Sequence, residues 1–144
     1  MIRVATDSDV TAITAIEAEC FGAEPWSEGL VADAVGSARH VVLVTADLDA
    51  YAVVSLAGEV ADLDRIAVLP SSRGRGLARD LLDAQVDRAR DLGAERMLLE
   101  VRDDNAAAIG LYESAGFDTI SVRRGYYAGG VDALVMELTI AEWR

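Results

Sequence analysis

The chain has 144 residues, of which 52% are hydrophobic and only two are proline, so it reads as one ordered globular domain over residues 1–144. Its formal charge of −12 disfavours nucleic acid and makes a cationic peptide or an amine the more natural partner, while excess acid also serves plain solubility. No apolar run reaches the length of a membrane span, no signal-peptide block opens the chain, and the lone Cys20 and lone His40 exclude an intrachain disulfide and a His-rich metal site; the expectation is a cytoplasmic protein with no metal and no membrane contact.

Ile2 to Ala5 alternates as a short strand. Thr6 with Asp9 has the form of a capping box, with Asp replacing the usual Glu. Val10, Ile13, Ile16 and Glu17 then space as an amphipathic helix ending near Cys20. Residues 21–26 form a loop, and Ser27 caps a second helix running to about Gly36. Three strands follow at 41–45, 50–56 and 60–69, joined by tight turns at 47–49 and 57–58. Leu77, Leu81, Leu82, Val86 and Ala89 recur at helical spacing, and Gly93 closes that helix. Met97 to Val101 is a nearly continuous apolar run that suits a buried parallel strand. A helix from Asn105 to Ser114 is closed by Gly116, and strands at 117–123 and 134–139 flank a loop around Gly129-Gly130. The order β-α-α-β-β-β-α-β-α-β-β predicts an α/β (α+β) fold with a mixed sheet and helices on its faces.

The most informative stretch joins the third of those strands to the long helix. Ile66-Ala67-Val68-Leu69 stops at Pro70; Arg73, Gly74, Arg75 and Gly76 follow, and the helix starts at Leu77-Ala78. A strand, a glycine-bearing loop and a helix N-terminus bring backbone N–H groups and the positive end of a helix dipole to one place, a site for a phosphate-containing ligand. A Walker loop would need Lys-Ser/Thr after Gly76, and a dinucleotide fingerprint would need a small residue where Arg79 stands. The pattern that remains is Q/R-x-x-G-x-G/A, carried by Arg73, Gly76 and Ala78. A plain Gly-rich turn is the competing reading.

Three further residues carry candidate chemistry. Glu100 interrupts an apolar strand; it acts as a general base if burial moves it toward neutrality, or it is a strand-end carboxylate paired with Arg102 or Arg96. Asn105 and Tyr112 stand seven residues apart on one helix face. Asn105 suits a cap for that helix; Tyr112 fills the core or donates a proton to a departing thiolate. Cys20 lies far along the chain from these residues and has no evident His partner, which disfavours a thiol nucleophile.

In order, these residues read Ile66-Ala67-Val68, Arg73 to Ala78, Leu99-Glu100-Val101-Arg102, Asn105-Ala106-Ala107-Ala108-Ile109, Leu111-Tyr112-Glu113 and Gly116-Phe117, then Arg123-Arg124-Gly125-Tyr126-Tyr127. Glu19-Cys20-Phe21 and Pro25-Trp26-Ser27 precede them. This succession resembles the RimI family, the bacterial ribosomal-protein alanine N-acetyltransferases of the GNAT superfamily, over nearly the whole chain. The resemblance implies transfer of an acetyl group from acetyl-CoA to the N-terminal alanine of a small-subunit ribosomal protein. By the same resemblance Ile66, Ala67 and Val68 pair with the pantetheine arm. Arg73, Gly74, Arg75, Gly76, Leu77 and Ala78 cradle the pyrophosphate, and Asn105 contacts coenzyme A. Glu100 accepts a proton, directly or through water, and Tyr112 donates one. Trp26, Tyr126 and Tyr127 lie near the peptide groove or merely anchor loops. Asp104 stands where the family usually has Ser, and the segment 128–131 is short. These departures fall on the acceptor side, so a lysine or small-amine acetyltransferase, or a non-catalytic acyl-CoA sensor, are the rival readings.

Overall fold

In a computed structural model, described for residues 1–143, the chain forms a seven-stranded sheet flanked by four α-helices. The elements are β1 (Ile2–Val4), α1 (Val10–Cys20), α2 (Glu28–Val35), β2 (His40–Thr45), β3 (Ala50–Ala57), β4 (Val60–Val68), α3 (Leu77–Asp91), β5 (Arg96–Arg102), α4 (Ala106–Ser114), β6 (Asp118–Tyr127) and β7 (Val131–Thr139). Short 3₁₀ turns lie at Asp7–Asp9, Pro70–Ser72, Ala128–Gly130 and Ile140–Glu142. The α and β elements follow the order expected from the sequence. None of the described helices is long and apolar enough to cross a membrane.

The strand order is β1-β2-β3-β4-β5-β7-β6. All neighbours are antiparallel except β4 and β5. Strand alternation sorts the core into two layers. Val41, Leu43, Ala52 and Val54 join Leu81, Leu82 and Val86 of α3 and Tyr112 of α4 on one face. Val42, Val44, Tyr51 and Val53 join Ile13 and Ile16 of α1 and Val31 of α2 on the other. Each fully buried Leu or Val contributes roughly 1.5–3 kcal/mol to folding. Gln85, buried on α3, donates from Nε2 to the carbonyls of Val41 and Ala52, tying the helix to β2 and β3.

Two features of the sheet create the site. Val53 opposes Arg65 but Val54 opposes Leu63, so β4 carries one extra residue. This bulge reverses the alternation: Ala61 and Leu63 face the α3 layer before it, Ile66 and Val68 after it, and Ala67 turns toward α1. In addition, β4 and β5 pair only from Val60–Arg96 to Asp62–Leu98. Beyond that point the strands part, and β5 continues beside β7 alone.

Two strands differ from the sequence expectation. β5 has a parallel neighbour only at its start; its other edge is antiparallel to β7 over its whole length. Residues 124–127, expected in a loop, extend β6, so the connection to β7 is only Ala128–Gly130. This strand is almost wholly exposed, so its sequence lacks the apolar alternation that marks a half-buried strand.

The chain start is held by charge. Arg3 donates from Nη1 and Nη2 to the two Asp9 carboxylate oxygens (2.7 and 2.9 Å), and the Thr6 N–H donates to Oδ2 (2.8 Å). The Arg3 hydrogen bonds first, then the Thr6 amide, hold the Asp9 carboxyl at about 2. A lowered carboxyl contributes stability that is full above the unfolded value near 4 and is lost as pH falls toward 2. Because Arg3 is partly exposed, Asp9→Asn is expected to cost about 1–2 kcal/mol at pH 7 and little at pH 2.5, read from urea midpoints at the two pH values.

Candidate active site

The parting of β4 from β5 leaves the backbone of residues 63–68 without a strand partner on that side among the described residues. The Pro70–Ser72 turn and the glycine loop stand at the end of this cleft. Gly74 and Gly76 hold φ of +82° and +79°, a region costly to side-chain-bearing residues. A Cβ at either position would meet no atom within 4 Å, so backbone conformation, not crowding, calls for glycine. Gly76 is the N-cap of α3 and supplies no side chain, which leaves the first amides of a 15-residue helix free to receive an anion. Arg73 folds back, its Nε donating to the Val68 carbonyl at 3.0 Å.

Cys20, remote in sequence, sits against this loop: its Sγ donates to the Val68 carbonyl at 3.4 Å and lies 3.9 Å from Arg73 Nη2. Burial pushes the thiol up, which favours the unreactive form. On the far side of the cleft, Asn105 is the N-cap of α4, its Oδ1 accepting the Ala108 N–H at 3.2 Å. The capping reading therefore holds, and the Asn105 amide nitrogen stays available to a ligand. Tyr112 is buried against Phe117, with ring centroids 5.9 Å apart. Burial, with Tyr127 nearby, pushes its phenol up to about 12.

The opposite face of the sheet carries a groove of about 960 Å³. Its floor includes Asp62, Asp64, Leu98 and Glu100; Glu24 and Trp26 stand on one wall, Arg123, Tyr126 and Tyr127 on the other. Alternation explains Glu100: Met97, Leu99 and Val101 face the α3 layer, so Leu98 and Glu100 face the groove. Glu100 is exposed, not buried, and its partner is neither Arg102 nor Arg96. Arg123 Nη1 donates to Glu100 Oε2 at 2.7 Å, whereas Arg102 pairs with Asp104 and Arg96 with Glu137. Arg123 also lies 4.1 Å over the Tyr126 ring, and Tyr126 meets Tyr127 edge-on at 5.0 Å.

The structure thus brings Trp26, Glu100, Tyr126 and Tyr127 to one groove, and sets Ile66 to Ala78 along the adjoining cleft. Tyr127, on the groove wall, has its own phenol raised by burial first and then by the Glu100 carboxylate. Sequence reasoning missed Asp62, Asp64, Arg65 and Arg123. The signal for the first three was Asp62-Leu63-Asp64-Arg65, three charged residues within a short stretch of an otherwise apolar strand. Burial raises the carboxyls of Asp62 and Asp64, and each is raised further by a neighbouring carboxylate, Glu100 for the first and Asp62 for the second.

The acetyltransferase (GNAT) family pattern matches residues 10–117. The [ribosomal protein bS18]-alanine N-acetyltransferase of Salmonella typhimurium is 38% identical over 145 residues, spanning 97% of each chain. This chain belongs to the RimI family of GNAT acetyltransferases. The RimI crystal structure from Escherichia coli, a ribosomal-protein-S18-alanine N-acetyltransferase, superposes with a TM-score of 0.86 at 36% identity, covering 97% of this chain and 93% of that one. The fold is shared more widely: the Salmonella typhimurium protein yncA, solved with its cofactor acetyl-CoA, matches at a TM-score of 0.84 and 24% identity over 100% of this chain and 95% of its own.

Proposed function

We propose that this RimI-family protein transfers the acetyl group of acetyl-CoA to the free α-amine of a protein N-terminus, with the N-terminal alanine of ribosomal protein bS18 as acceptor. The observation that carries this reading is the cleft between β4 and β5, with an uncapped helix N-terminus at one end and a carboxylate-lined groove across the sheet. The Gly74–Gly76 loop and the first amides of α3 suit a pyrophosphate in shape and charge. The backbone of Ile66, Ala67 and Val68 offers the pantetheine arm a free strand edge, and the Asn105 amide nitrogen stands at the far wall.

In this reading the acceptor enters along the groove between Trp26 and the Tyr126–Tyr127 pair. Glu100 takes a proton from its α-ammonium, directly or through one water; its place on the groove floor recommends it, not burial, since the side chain is exposed and shared with Arg123. The neutral nitrogen then forms its bond to the thioester carbonyl carbon, while a backbone N–H near Val68 polarises the carbonyl oxygen. As the C–S bond breaks, the Tyr112 hydroxyl stabilises and protonates the departing sulfur, and the second proton shed by the attacking nitrogen as it becomes an amide returns through water to the phenolate. Cys20 takes no covalent part, since burial favours its protonated thiol, which lies against the Val68 carbonyl.

The acceptor class is tested by incubating the purified protein and acetyl-CoA with three amines: an Ala-initiated peptide of the bS18 terminus, a lysine peptide with a blocked N-terminus, and a polyamine. Mass spectrometry is expected to find one acetyl group on the α-amine of the first only. Acetylation confined to either of the others would move the protein to a rival acceptor class.

A further inference from the structure

Glu17 of α1 is a carboxylate buried with none of its surface exposed. Its Oε1 accepts the Trp26 N–H at 2.7 Å and lies 3.3 Å from Arg65 Nη2; its Oε2 and the Arg65 Nε are buried without a hydrogen-bond partner. An incompletely satisfied buried ion pair is a poor source of stability, and apolar side chains of similar size commonly do as well or better. Burial accordingly pushes the Glu17 carboxyl up, while the Trp26 amide and Arg65 pull it back.

What the pair does is geometric. Its contacts converge on the loop between α1 and α2. Arg65 Nη2 donates to the Glu24 carbonyl at 2.9 Å, and its guanidinium lies 4.3 Å over the Phe21 ring and 5.2 Å from the Trp26 ring centre. The Glu17 carbonyl also accepts the Phe21 N–H at 2.8 Å. That loop supplies Glu24 and Trp26 to the groove wall. The β4 bulge is what turns Arg65 to this side of the sheet.

We propose that Glu17 and Arg65 are positioning residues that fasten the α1–α2 loop as the acceptor-side wall, so that they govern acceptor binding and leave acetyl-donor binding alone. This rests on the acceptor entering by the groove. Glu17→Gln keeps an oxygen for the Trp26 N–H but removes the charge; Arg65→Met keeps an apolar stem on Phe21 but removes the guanidinium.

Steady-state kinetics with the Ala-initiated peptide are expected to show acceptor KM raised roughly tenfold in Glu17→Gln and more in Arg65→Met, with acetyl-CoA KM within about twofold of wild type. A second readout needs no turnover. In a Trp143→Phe background Trp26 is the sole tryptophan, and acrylamide quenching of its fluorescence should rise in both variants. Unchanged acceptor KM, equal increases in both KM values, or unchanged quenching would each overturn the proposal. If wild type acetylates no peptide, the acceptor reading fails while quenching still decides whether the pair holds the loop. Should Glu17→Gln not fold, Arg65→Met, altered at a partly exposed side chain, carries the test alone.

Discussion

Glu100→Gln is expected to lower kcat by about 10²- to 10⁴-fold, the usual contribution of a positioned general base. The substitution is isosteric. Its amide oxygen still accepts from Arg123, which stands 2.7 Å from the present carboxylate, so the bridge across β7 to β6 survives. What is lost is the capacity to take up a proton, directly or from a water. Acetyl-CoA affinity should stay near wild type, because Glu100 faces the groove whereas the glycine loop and the α3 N-terminus lie at the cleft. The pH dependence gives a sharper discrimination. An α-amine with a reference pKa of about 7.7–8.0 is increasingly neutral above pH 8 and then needs no base. The deficit of Glu100→Gln should therefore narrow steadily from pH 6.5 to pH 9.5. A deficit constant across that range, or wild-type turnover, would remove Glu100 from the role of base.

The contact with Arg123 adds a condition that sequence spacing did not suggest. Period-two alternation does place Arg96, Glu100 and Arg102 on one face, so near neighbours were the natural candidates for pairing. The fold spends them elsewhere, on Glu137 and Asp104, and brings Arg123 from two strands away. An incoming ammonium must share Glu100 with that guanidinium or displace it.

The order of elements was legible because most carry a strong local pattern. The apolar positions of α3 repeat at helical spacing, and Ser27 accepts from the Leu30 N–H as a cap should. The turn before α3 was legible because glycines directly ahead of a helical repeat mark a place where the backbone takes up positive φ, as Gly74 and Gly76 do. The β4 bulge left a trace that was readable but easily missed, a slip in the apolar alternation from Ala61 and Leu63 to Ile66 and Val68. Hidden altogether were the features that depend on distant strands. Cys20 meets Val68 across 48 residues, and Glu17 meets Arg65 between a helix and a bulged strand. β6 escaped full recognition because an exposed edge strand is held by backbone pairing to β7 and needs no apolar face.

Tyr112→Phe should lower kcat by a smaller factor, about 10- to 100-fold. The ring remains to fill its place against Phe117, so folding should be little affected. Only the hydroxyl is lost, and its pKa sets what it can do. At about 12 it lies some three to four pH units above an ordinary thiol near 8.5, so full proton transfer ahead of C–S cleavage runs uphill. The hydroxyl acts best as a hydrogen-bond donor to developing negative charge on sulfur, transferring its proton late. Such a charge-assisted bond is worth about 1.5–3 kcal/mol, which corresponds to the factor given. The raised pKa also fixes the sign of the pH behaviour: the phenol stays protonated until pH approaches 12, so no limb of the profile between pH 6 and pH 10 belongs to it. Tyr112→Phe is therefore expected to reduce kcat by the same factor at every pH in that window, while the deficit of Glu100→Gln shrinks toward the alkaline end. Two parallel profiles, or two converging ones, would mean that the acid and base roles are not divided between these residues as argued.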